Sequence, residues 1–140
     1  MIRSTRLVQM ALGLMVLLAL AAPLPAADML YVTLDNNTIV SYDTTGNVGS
    51  TIAASVDTIA TTNLSYAYDL AFDTSGNVYA ANYTGTYANT ISKFTSKGVF
   101  LSQINSNLNG PYGLAFDISG NLYAANADDN TISKFNSAGL

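Results

Sequence analysis

The sequence predicts an all-β fold assembled from repeated sheets of four antiparallel strands, and three observations carry that prediction. First, straight-chain helix formers are scarce. All nine acids among the 140 residues are Asp, and the only lysines are Lys93, Lys97 and Lys134, so long helices have little to build them. Second, Val, Ile, Tyr, Phe and Thr fall in short runs separated by Gly, Asn, Asp and Ser, the composition of strands and tight turns. Third, the chain repeats itself. Leu70-Ala71-Phe72-Asp73-Thr74-Ser75-Gly76-Asn77-Val78-Tyr79-Ala80-Ala81-Asn82 returns at Leu114 to Asn126 with an offset of 44, and Asn89-Thr90-Ile91-Ser92-Lys93-Phe94 returns at Asn130 to Phe135 with an offset of 41.

The chain opens with Arg3 and Arg6, passes through an apolar run from Met10 to Ala22, and leaves it by Pro23-Leu24-Pro25-Ala26-Ala27. A positive start, an apolar middle and a small-residue exit are the three zones of an export signal. Residues 1–27 are therefore expected to be a cleaved signal peptide, and residues 28–140 a secreted, periplasmic or cell-surface domain. The apolar run falls short of the ~20 residues that a spanning helix needs, so no membrane span is expected after cleavage. Without Arg3 and Arg6, three lysines face nine aspartates, a formal charge of −6. With no basic cluster, nucleic acid is a poor partner. The absence of Cys and His removes thiolate chemistry, Cys/His zinc sites and every His-dependent triad.

Three units follow. Leu30-Tyr31-Val32 and Asn37-Thr38-Ile39-Val40-Ser41-Tyr42-Asp43 form a worn first copy over residues 30–60 that lacks its strand A; residues 50–67 supply an outer strand and a long connection. The second copy, 68–107, is complete, with strand A from Asp69 to Asp73, B from Asn77 to Ala81, C from Thr90 to Phe94 and D from Val99 to Ile104. Between A and B, Gly76 supplies the positive φ of a bulged hairpin turn, while Asp73 and Asn77 bond turn amides. The third copy, 112–140, holds strands A, B and C. In the complete second copy, small and apolar residues stand on both faces of strands A and B, so that sheet is expected to be covered on both sides.

A unit of about 44 residues packed between like units is a β-propeller blade. Pro111-Tyr112-Gly113-Leu114-Ala115-Phe116-Asp117, with Gly120-Asn121-Leu122-Tyr123-Ala124-Ala125-Asn126 and Thr131-Ile132-Ser133-Lys134-Phe135, resembles the NHL repeat and the related repeats of the SMP-30/gluconolactonase/LRE-like group. The resemblance spans residues 30–140 and implies an incomplete propeller: about two and a half blades, where such proteins have about six. The expectation is a truncated reading frame. Its rival is a short chain that self-associates into a ring, as some lectin-like propellers do.

The resemblance directs ligands to the face formed by the B–C and D–A connections. Asn82, Tyr83 and Tyr87 lie there on or beside the B–C loop of blade two, Tyr66 and Tyr112 just ahead of strands A, and Asn126 at the end of strand B in blade three. Tyr83 and Tyr87 are suited to stacking on a sugar ring or a partner's apolar surface, with packing on the adjacent blade as the plainer expectation. Asp128 and Asp129, flanked by Asn126 and Asn130, offer the oxygen ligands that Ca²⁺ accepts, or form a polar turn. No other cofactor is expected. Lactonases of the resembling group hold a divalent metal with carboxylate and Asn ligands, often including the Asn of a Pro-Asn-Gly step. This chain has Tyr112 at that step and neutral Asn82 and Asn126 at the strand ends, a poor set for metal or general-base chemistry. The expected function is a non-catalytic binding or scaffold module for a protein or carbohydrate ligand. The alternatives are a metal-dependent lactone hydrolase or lyase whose catalytic blades lie beyond residue 140, and a self-assembling lectin-like propeller.

Overall fold

The computed structural model describes residues 29–34, 36–43 and 57–136; the expected export signal lies outside them. Ten strands and no helix run through the described residues: β1 (Met29–Leu34), β2 (Thr38–Asp43), β3 (Asp57–Ala60), β4 (Ala67–Phe72), β5 (Val78–Asn82), β6 (Thr90–Phe94), β7 (Phe100–Ile104), β8 (Pro111–Phe116), β9 (Leu122–Asn126) and β10 (Thr131–Phe135). They form three antiparallel meanders, β1-β2-β3, β4-β5-β6-β7 and β8-β9-β10. Among the described residues no helix is long and apolar enough to cross a membrane.

Local chemistry explains the tight connections. Between β4 and β5, Asp73 Oδ1 accepts the backbone N–H groups of Ser75 at 3.0 Å and Asn77 at 2.9 Å, and its Oδ2 accepts Asn77 Nδ2 at 2.8 Å. Gly76 turns the chain with φ 79°, a conformation that costs glycine little. Asp117 makes the same three bonds to Ser119 and Asn121 between β8 and β9. Strand β6 covers the residues expected of strand C. Strand β4 begins two residues earlier than expected, because a bulge between Ala67 and Asp69 lets pairing continue to Ala67 and Asn82.

The core lies between sheets rather than inside any one of them. Tyr31 and Ile39 of the first sheet pack with Leu70, Val78, Ala80 and Phe94 of the second. Ala71, Tyr79 and Ile91 of the second pack with Leu122, Ala124 and Phe135 of the third. Successive residues of β4 and β5 thus serve opposite interfaces, as the two-residue period of a strand requires. The result is a stack of propeller-like blades that is not closed into a ring. The expectation that the second sheet is covered on both faces holds, with the first sheet on one side and the third on the other; the third sheet has one face exposed. Ile91 is fully buried, but its repeat mate Ile132 is 72% exposed, since no described sheet follows the third.

Candidate functional site

The B–C and D–A ends of the second and third sheets carry an aromatic cluster created by two matching bulges. In β4, Ala67 pairs with Asn82 and Asp69 with Ala81, leaving Tyr68 as the extra residue. In β8, Pro111 pairs with Asn126 and Gly113 with Ala125, leaving Tyr112. A bulge re-aims the side chain of its extra residue, and these two rings meet across the blade boundary, 4.7 Å between centroids with planes at 31°. Tyr83, the first residue past β5, stands edge-on to both, 5.1 Å from Tyr68 and 6.0 Å from Tyr112. Rings this close leave no space between them. They form a platform, with Tyr112 37% exposed and Tyr68 and Tyr83 half-buried.

One carboxylate borders the platform. The Tyr83 hydroxyl donates to Asp128 Oδ1 at 3.0 Å, and that bond raises the phenol's pKa. Asp128 reaches this position because residue 110 is glycine: a Cβ there would lie 2.6 Å from the Asp128 Cγ. Asp129 turns to other partners, accepting from the Thr131 hydroxyl at 2.6 Å and the Thr131 N–H at 3.2 Å. The two carboxylates therefore have separate hydrogen-bond partners. Among the described residues, no group of three or more His, Cys, Asp or Glu could hold a metal ion.

Asn82 and Asn126 hold the blade ends from within. Buried Asn82 accepts the Ser65 N–H at 3.0 Å and donates from Nδ2 to Thr90 Oγ1 and Ser92 Oγ, both at 2.9 Å. Asn126 accepts the Asn109 N–H at 3.2 Å and donates to Thr131 Oγ1 at 3.0 Å and Ser133 Oγ at 2.8 Å. The hydroxyls of Ser92 and Ser133 continue to the carbonyls of Asn63 and Asn107. Each amide thus fastens a D–A connection to strands B and C. Its donors and its oxygen each have a protein partner, which makes it a fastening within the blade. Tyr87 remains half-buried on its loop, where its carbonyl accepts from Thr90 Oγ1, and its ring takes no part in the platform's ring contacts.

Two residues that sequence reasoning passed over matter here. Tyr68 is the repeat mate of Tyr112, and extending the offset of 44 two residues back from Leu70 and Leu114 finds it. Asp69, beside it, accepts the Leu114 N–H of β8 at 2.6 Å and the Leu70 N–H at 2.9 Å. Burial pushes its pKa up to about 6, against the lowering effect of those two bonds. Its repeat mate is Gly113, so the repeat itself does not mark it.

At the far end of the same blade boundary, a cleft of about 410 Å³ opens beside the A–B turns, with Phe72, Lys93, Gln103 and Phe116 in its walls. There the Lys93 ammonium lies 3.2 Å from Asp73 Oδ2.

No family model matches the chain, and no curated protein matches it. Among solved structures, the chain is similar to virginiamycin B lyase from Staphylococcus aureus, at 17% sequence identity and a TM-score of 0.49. The similarity covers 84% of this chain and 40% of the lyase, so the chain spans two fifths of that structure's length.

Proposed function

We propose that the chain is an exported, non-catalytic binding module built from NHL-like propeller blades, and that its aromatic platform stacks the ring of a neutral carbohydrate. The observation that carries this reading is the convergence of Tyr68, Tyr83 and Tyr112 from two neighbouring sheets, with Asp128 at their border. A sugar presents an apolar face that packs on a tyrosine ring and hydroxyls that donate to a carboxylate. The platform contains no cation, and the acidic chain repels anionic ligands. Asp69 has the perturbed pKa often found at active sites. Both its oxygens, however, accept backbone amides, which fits a joint between blades better than an acid or base.

Calorimetric titration of the full chain with cellohexaose, laminarihexaose and chitohexaose tests the reading. Saturable association with at least one is expected, weakened about tenfold by Tyr112→Ala. Failure to bind all three, or a Tyr112→Ala protein that binds as the parent does, refutes it.

A further inference from the structure

Six described non-glycine residues have positive φ: Asn37, Asn63, Tyr66, Asn89, Asn107 and Asn130. Five are asparagine, which tolerates the left-handed region. Tyr66, at φ 45°, is a bulky residue for which that region is strained.

The repeat shows what this position ordinarily holds. An offset of 44 brings Tyr66 onto Gly110, whose φ is 63°. Both residues are held by the same bond from the preceding blade: Tyr66 N donates to Asn37 Oδ1 at 2.6 Å, and Gly110 N donates to Asn89 Oδ1 at 2.7 Å. Both carbonyls accept from the residue just past strand B, Tyr83 at 3.3 Å and Ala127 at 2.8 Å. The backbone therefore follows the repeat, and glycine would meet its demands without strain. Core packing does not compensate for the tyrosine, which is 50% exposed. Its carbonyl accepts the Tyr83 N–H, so its backbone adjoins a platform residue. Its ring edge lies beside Gly85 of the B–C loop, where a Cβ would come within 3.4 Å of Tyr66 Cδ2.

A strained, solvent-exposed aromatic residue beside a candidate site, where the repeat uses glycine, fits strain retained for function. We infer that Tyr66 is a second stacking surface, so that the site takes an extended oligosaccharide rather than a single sugar; the inference rests on the carbohydrate reading above.

Three variants of the full chain test it: Tyr66→Asn, Tyr66→Gly and Tyr66→Phe. The first two relieve the backbone and remove the ring, so the melting temperature is expected to rise by about 2–5 °C, while association with the hexasaccharide bound by the parent weakens about fivefold. Tyr66→Phe keeps ring and strain alike and is expected to retain parental binding and melting temperature. Unchanged hexasaccharide binding in Tyr66→Asn, alongside loss in Tyr112→Ala, overturns the inference and leaves the platform reading intact. Melting temperatures that fail to rise in both Asn and Gly variants remove the strain argument and overturn the inference as well. Failure of the parent to bind any hexasaccharide refutes both readings together.

Discussion

Asp69 sits where the inner strands of two blades meet, and its carboxylate accepts the Leu114 N–H from the neighbouring sheet. With a folded-state pKa pushed up to about 6 from 3.8, the folded protein holds a proton between pH 4 and 6 that the unfolded chain has released. Stability from this group is therefore present at low pH and lost as pH rises through about 6. Denaturation followed from pH 4.5 to 7 is expected to show stability declining toward pH 7 by at most about 2 kcal/mol, and Asp69→Asn is expected to flatten the profile. Asp73 has the opposite sign. Burial raises its pKa, but bonds from Asn77 and Lys93 outweigh that and leave it below the usual value, so its contribution is lost at still lower pH.

At the blade ends the elements are fastened by the recurring asparagine that closes strand B. Asn82 joins β5 to β6 and to the connection ahead of β4. Its replacement by Ala leaves buried donors and acceptors without partners, a penalty of about 1–3 kcal/mol per group. Urea denaturation of Asn82→Ala is expected to show a loss of about 2–4 kcal/mol. The turns were legible in the sequence because Asp73, Gly76 and Asn77 satisfy one another within five residues. The platform was only half legible. Tyr83 and Tyr112 stood out as exposed-loop aromatics, but Tyr68 joins them because a bulge makes it the unpaired residue of β4. A bulge is a register relation between two strands, and no single strand's pattern announces it.

At the scale of the whole molecule, stacking makes the same residue type behave differently in successive blades. Ile91→Asp places a charge in the interface between the second and third sheets and is expected to abolish cooperative unfolding, a cost of more than about 4 kcal/mol. Ile132→Asp is expected to preserve the fold and its cooperative unfolding, because that side chain is largely exposed. An Ile132→Asp protein that unfolds as readily as Ile91→Asp would contradict the stacking described here.

By itself the sequence determined the strand periodicity, the turn chemistry, the repeat and hence the succession of like sheets, since each is written within a few residues or repeated at a constant offset. Tertiary structure decided which side chains meet. Tyr83 and Asp128 lie 45 residues apart, as do Asp69 and Leu114, and both contacts cross a blade boundary. It also turned Asn82 and Asn126 inward as fastenings and placed Tyr66 in a backbone that favours glycine. The physical reason is that hydrogen bonding within a turn needs only the local chain, whereas a surface shared by two sheets depends on how their registers and bulges align.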